Sequence, residues 1–295
     1  MKVSANGLSI EVDDQGPVDG PALLLIMGLG MQLVAWPDEL VADLVARGFR
    51  VVRFDNRDIG LSQHFDPEGV PNLAWAGMRH ALHLKLRSPY SLRDMAADTV
   101  GVLDALGIAS AHVCGASMGG MIAQHLAAEW PGRVRSLVLL MTSAGARSLP
   151  QPSLAVRQAM LGRPDGADPM SVVAHLQRVL AVIGSPAYPP EPARLQRRLL
   201  ESVRRSWHPE GTARQLLAVM ADGDRTPLLA RIRVPTRVVH GDADALVPVE
   251  AGHHLQQHIA GATADFIPGM GHDLPLALLP RLAADIADNA ALARG

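Results

Sequence analysis

Short apolar runs of strand length alternate with longer segments of helical periodicity along most of this chain, and few folds accept that alternation. Runs at about residues 22–27, 50–54, 111–115, 135–141, 235–240 and 263–267 read as strands covered on both faces. Helical patterns fall between them, near 38–47, 92–106, 118–129, 249–259 and 273–291. Ser91 stands where a cap for the second helix is needed, and Gly107 where that helix should stop. The expected architecture is α/β, a mostly parallel central sheet with helices on both faces. Residues 1–20 read as an amino-terminal antiparallel hairpin, on a weak turn signal at Asp13, Asp14 and Gly16.

One stretch breaks the alternation. From residue 145 to 230 the pattern is helical and interrupted by prolines (Pro150, Pro164, Pro186 and Pro209 among them), with no strand signal. It carries eleven arginines against seven carboxylates, so it is basic within a chain whose net charge is −2. The expectation is a core formed by residues 1–144 and 231–295, with residues 145–230 inserted as a helical cap over the carboxyl edge of the sheet. The near-balanced charge gives no electrostatic case for nucleic acid, and 3% aromatic residues leave few stacking platforms for bases. A single cysteine excludes an intrachain disulfide and any multi-cysteine metal site. No apolar stretch reaches the roughly 20 residues of a membrane helix, and no signal-peptide core is visible near Met1. A cytoplasmic protein without a membrane partner is expected, with homo-oligomer formation left open.

The strand pattern of Ala111–Cys114 runs directly into Gly115-Ala116-Ser117-Met118-Gly119-Gly120, and a helical pattern follows. G-x-S-x-G between strand and helix is the context of a nucleophile elbow. A serine projected from so tight a turn brings the residues two before and two after it together, and only glycine fits there. Gly115 and Gly119 occupy those places. The helix starting at Met118 also aims its positive end at the reacting centre.

A serine hydroxyl needs a base, usually a histidine held in one tautomer by a buried acid. In the order Ser…Asp…His, the acid should follow one late strand and the histidine the last strand. Asp242 and Asp244 follow the 235–240 run, and His272 follows the 263–267 run. Asp244 is chosen as the acid, since Asp242 reads more simply as a turn carboxylate bonded within its own loop. Asp273 should point away from the site and cap the terminal helix.

These motifs resemble the α/β-hydrolase superfamily over nearly the whole chain: Gly115–Gly120, Gly241-Asp242-Ala243-Asp244 with Val247-Pro248, and Gly271-His272. Asp55-Asn56-Arg57-Asp58-Ile59-Gly60-Leu61-Ser62 is similar to the family's D-x-R-G-x-G-x-S stretch, with Asp58 in place of glycine. Met27-Gly28-Leu29-Gly30 occupies the place of the oxyanion loop, with Met27 where histidine is common. That variant, with Trp36-Pro37-Asp38-Glu39, resembles the aclacinomycin methylesterase branch, which hydrolyses a methyl ester on a polyketide. The resemblance implies an α/β-hydrolase fold and a small-molecule ester as substrate. It also implies oxyanion donors at the backbone N–H groups of Leu29 and Met118. No cofactor and no metal are expected.

Other residues take plainer readings. Cys114 reads as a buried, inert small hydrophobe. His253, His254 and His258 suggest a metal-binding helix face, but no H-E-x-x-H pattern accompanies them, and His80 and His83 make a weaker case still. Arg57 and Asp58 read as a structural ion pair or turn, and Arg197, Arg198, Arg204 and Arg205 as a solvated cap face. Ser117 argues against dehalogenases and epoxide hydrolases, whose nucleophile is aspartate. A basic cap argues against an aminopeptidase. Two alternatives to an esterase stay open: a small-molecule receptor on the same scaffold, and a cofactor-free haloperoxidase or lactonase using the same triad.

Overall fold

The apolar runs form the strands. In the computed structural model, which describes residues 1–294, β1 (Lys2–Ala5), β2 (Leu8–Gln15), β3 (Ala22–Ile26), β4 (Arg50–Phe54), β5 (Ala111–Ala116), β6 (Val134–Leu140), β7 (Thr236–Gly241) and β8 (Thr263–Ile267) make one eight-stranded sheet. Its order is β1-β2-β4-β3-β5-β6-β7-β8. The first two strands form the expected hairpin, and β2 joins β4 antiparallel. Every other pairing is parallel. All residues of β3 and β5 are buried, as strands covered on both faces must be.

The helices are α1 (Asp38–Ala46), α2 (Leu73–Ala81), α3 (Leu92–Ala105), α4 (Met118–Glu129), α5 (Leu154–Leu161), α6 (Pro169–Ile183), α7 (Pro192–Arg205), α8 (Pro209–Asp222), α9 (Thr226–Leu229), α10 (Glu250–His258) and α11 (Leu279–Ala291). Leu40 and Leu44 of α1 and Leu282 and Ile286 of α11 share one core with Leu23, Leu25 and Val51. On the opposite face, Val102 of α3, Ile122 of α4 and Leu255 of α10 pack with Leu24, Ile26 and Val113. Ser91 caps α3 as expected: its hydroxyl accepts from Asp94 N (3.1 Å), and the Asp94 carboxylate accepts from Ser91 N (2.8 Å). Gly107, at φ +67°, follows the end of that helix.

Two expectations fail. Residues 73–81 form a helix, α2, that the sequence pattern did not disclose. The terminal helix starts at Leu279, not near residue 273, after a short 3₁₀ turn at Leu276–Leu278. Pro275 disfavours helical backbone at Leu274, so the helix cannot propagate back to Asp273. Asp273 therefore caps nothing there. Its carboxylate accepts from Ser185 N at 3.1 Å and from the Ser185 hydroxyl.

The five helices α5–α9 lie between β6 and β7, with no strand among the described residues of that insertion. Its two ends are tied together where it leaves the sheet. Arg225 N donates to Ala144 O (2.7 Å), and Gly145 (φ +76°) lies so close to Gly223 O that a Cβ would collide with it. The short helix α9 rests on α4.

Candidate active site

Ser117 stands between β5 and α4 with φ +54° and ψ −120°, a backbone region that side chains rarely occupy. The turn is as tight as the spacing demands. A Cβ on Gly115 would sit 2.6 Å from the Gly119 carbonyl carbon, and one on Gly119 would sit 2.6 Å from that of Ile26. Thr142 Oγ1 donates to Ser117 O (2.6 Å), and Ser117 N donates to Leu140 O (2.9 Å), which fixes the strained residue from β6 and the loop after it.

Three side chains from three distant loops meet here. His272 Nε2 lies 3.0 Å from Ser117 Oγ, and His272 Nδ1 lies 2.7 Å from Asp244 Oδ2. With Nδ1–H donating to the carboxylate, Nε2 is left to accept the serine proton. The Asp244 side chain is wholly buried, and its other oxygen accepts from Leu246 N (2.9 Å) and Val247 N (2.8 Å). Burial pushes the Asp244 carboxyl up, but the His272 charge and hydrogen bonds from His240, His272 and Val247 hold it well below the usual carboxylate range. The same contacts favour the carboxylate form beside the imidazole. Asp242 does not reach the ring; its Oδ1 accepts from Gly269 N (2.6 Å) and braces the loop leading to His272.

Met118 directly follows the serine, and the loop carrying Leu29 approaches it through Gly28. Met118 opens α4, whose first N–H groups have no partner within the helix. Leu29 lies in the loop after β3, where a Cβ on Gly28 would be 3.2 Å from Ser117 Cβ. Asn56 Nδ2 donates to Met27 O (2.9 Å), so the loop is held by a buried amide whichever side chain stands at residue 27.

Two readings of charged residues are corrected by the structure, and Arg214, which no sequence signal marked, joins one of them. Arg57 and Asp58 do not pair with each other: Arg57 grips Asp98 through two bonds of 2.6 Å, whereas Asp58 is gripped by Arg214 of α8 through two of 2.7 Å. Tyr90 Oη and Phe65 N also donate to Asp58, at 2.7 and 2.9 Å. The arginine face of α7 is only half solvated. Arg197 and Arg204 are exposed, but Arg198 donates to Ala35 O (3.3 Å) and Arg205 to Gln32 Oε1 (2.6 Å) and Asp55 Oδ2 (2.8 Å).

Cys114 is fully buried and its thiol is pushed up to about 12 by burial, which leaves it unreactive. His254 and His258 stack ring on ring at 4.0 Å, and His254 Nε2 meets Thr226 Oγ1 (2.9 Å); His80 and His83 are exposed. Among the described residues, the group with metal-ligating reach is His64, Asp66 and His208, which no sequence motif marks. There Arg214 Nη2 lies 3.1 Å from His208 Nε2, a guanidinium where a cation would have to sit. No helix among the described residues is long and apolar enough to cross a membrane.

The chain matches the α/β hydrolase fold family over residues 21–276 and belongs to that family. It is 32% identical over 291 residues to rhodomycin D methylesterase DauP of Streptomyces sp. (strain C5), covering 92% of this chain and 90% of that protein. Rhodomycin D methylesterase DnrP of Streptomyces peucetius is 31% identical with the same coverage. Among solved structures, the esterase EaEST from Exiguobacterium antarcticum superposes with a TM-score of 0.76 over 99% of both chains, at 20% identity.

Proposed function

We propose that the protein is a serine hydrolase that cleaves a carboxylic ester of a small organic molecule through an acyl-enzyme on Ser117. The observation that carries the reading is the continuous relay from Ser117 Oγ to His272 Nε2 (3.0 Å) and from His272 Nδ1 to Asp244 Oδ2 (2.7 Å). His272 takes the proton from Ser117 as Oγ attacks the ester carbonyl carbon. The tetrahedral oxyanion is met by the N–H groups of Leu29 and Met118, and Asp244 stabilises the imidazolium. His272 then protonates the departing alcohol. Water, deprotonated in turn by His272, attacks the acyl carbon and releases the acid and Ser117.

Likeness to the two rhodomycin D methylesterases puts methyl esters first among substrates to try. Residues 145–230 act in this reading as a cap over the core of residues 1–144 and 231–295. The test is turnover of p-nitrophenyl acetate, p-nitrophenyl butyrate and a panel of methyl esters by wild type and Ser117→Ala. Loss of the nucleophile should lower kcat by about 10⁴-fold or more without unfolding the protein. A purified Ser117→Ala variant that keeps most of the activity would overturn the assignment.

A further inference from the structure

We infer that Gln215 is a positioning residue for the oxyanion hole, so that α8 of the insertion holds the loop carrying the Leu29 donor as well as covering the site. The inference rests on the reading of Ser117 as the acylated nucleophile.

Gln215 has 0% of its surface exposed, and both ends of its amide are engaged. Its Oε1 accepts from Gly30 N (2.9 Å) and its Nε2 donates to Arg57 O (2.8 Å). Gly30 directly follows Leu29 and has φ +68°, in a turn closed by Met31 N donating to Gly28 O (3.2 Å). The Gln215 carbonyl therefore fixes the peptide plane on one side of the donor residue.

Further contacts, from Asn56 and from α8, close a ring around the same loop. Asn56, next to Arg57, donates to Met27 O (2.9 Å) on the far side of Leu29. Gln215 thus joins Gly30 to Arg57, and Asn56 joins the Arg57 segment back to Met27. A Cβ on Gly30 would lie 2.8 Å from Thr212 Cγ2, so α8 lies directly on the turn. Arg214, the preceding residue, grips Asp58 at 2.7 Å twice and locks the second loop to the same helix.

An oxyanion donor contributes to rate only when it is already aimed at the developing charge. Without Gln215, Gly30 N–H and Arg57 O lose their buried partners. The Leu29–Gly30 peptide is then free to rotate, and the adjoining Gly28–Leu29 peptide, which carries the Leu29 N–H, loses its fixed orientation. The ground-state ester relies on that donor less than the tetrahedral intermediate does, so the loss should fall on kcat and spare KM.

The experiment compares wild type, Gln215→Leu and the nearly isosteric Gln215→Glu, which keeps an acceptor for Gly30 N–H. For p-nitrophenyl butyrate, Gln215→Leu should lower kcat about 10- to 100-fold with KM changed by less than about twofold. Affinity for a trifluoromethyl ketone, which adds to Ser117 as a tetrahedral hemiketal, should fall in parallel with kcat/KM. Gln215→Glu should recover part of both losses, and it keeps the test open if Gln215→Leu does not fold. Independently of any turnover, backbone amides of residues 27–33 should exchange with deuterium about tenfold faster in Gln215→Leu. Unchanged exchange there, or a kcat within about twofold of wild type, would overturn the inference. Wild type inert to every ester and to the ketone would instead overturn the hydrolase reading, and the exchange comparison would then decide the clamp by itself.

Discussion

Replacing Arg214 by methionine removes a buried, bidentate ion pair between the insertion and the sheet-bearing core. The Arg214 side chain is 1% exposed and donates to Asp58 at 2.7 Å through Nε and again through Nη2, and to Gly69 O at 2.7 Å. After the substitution Asp58, itself 0% exposed, keeps the Tyr90 hydroxyl (2.7 Å) and the Phe65 N–H (2.9 Å), with His208 Nε2 3.6 Å away on an imidazole whose pKa burial lowers. Breaking one side of a buried ion pair costs about 3–5 kcal/mol, because the remaining charge is left uncompensated. Against a total stability of about 5–15 kcal/mol the variant should still fold, with Tm lower by roughly 6–20 °C.

The same change should invert the pH dependence contributed by Asp58. Burial pushes its carboxyl up, but in the wild type the Arg214, Phe65 and Tyr90 bonds hold it below the ordinary carboxylate value. A depressed carboxylate adds stability above its unfolded pKa of about 3.9, and that stability is lost as pH falls through the folded value. Without Arg214, burial dominates, the folded pKa rises above the unfolded one, and the penalty grows with pH. The difference in stability between wild type and Arg214→Met should therefore be greatest near neutrality and shrink toward pH 4. Urea unfolding at several pH values measures it, with equal m-values as the check on two-state behaviour. Adding Asp58→Asn to Arg214→Met should restore part of the loss at pH 7 and flatten its pH dependence. A loss below about 1 kcal/mol at pH 7, or one that does not change with pH, would refute the reasoning.

Asp244→Asn should lower kcat by about 10⁴-fold, since an amide favours the wrong His272 tautomer. Asp242→Asn should cost far less, because an amide oxygen can still accept from Gly269 N; an equal or reversed ranking in steady-state kinetics would show that the orienting acid is misassigned. His125 lies between Asp222 (3.1 Å) and Glu129 (3.0 Å). Burial lowers its pKa, but those two carboxylates raise it above the ordinary histidine value on balance. A raised histidine contributes stability that is full below its unfolded pKa of about 6.5 and is lost as pH rises through the folded value. The stability advantage of wild type over His125→Gln should thus diminish between pH 6 and 9, and a flat difference in denaturant titrations would contradict it.

What the sequence disclosed follows from how local each signal is. A parallel strand announces itself as an apolar run, and the elbow at Ser117 needs glycine at residues 115 and 119 for reasons confined to that turn. Asp244 and His272, which meet beside Ser117, stand in the sequence in order after late strands. The choice against Asp242 needed only the habit of turn carboxylates to bond their own loops. The start of α11 was misplaced because Pro275 outweighs the apolar periodicity around it. The contacts that hold the site together carry no such local mark. Gln215 meets Gly30 across 185 residues, and Arg214 meets Asp58 across 156. Nothing in the periodicity of α7 says that Arg205 turns inward to Asp55 while Arg204 stays in water.

Asp58 did carry a signal, in the form of an acid where the resembling pattern has glycine. The structure supplies the reason for glycine, since residue 58 has φ +73°. A side chain held there costs on the order of 1 kcal/mol of backbone strain. Here its carboxylate gives the insertion a charged, bidentate anchor on the loop that also carries Asn56 and Arg57. An apolar contact of similar area could slide by a fraction of an ångström at little cost, whereas two 2.7 Å bonds to a planar guanidinium fix distance and direction together. That precision matters because the next residue, Gln215, hangs from the same helix turn and reaches the oxyanion loop. The positive-φ backbone at Asp58 and the turn at Gly30 are thus both bonded to adjacent residues of one helix.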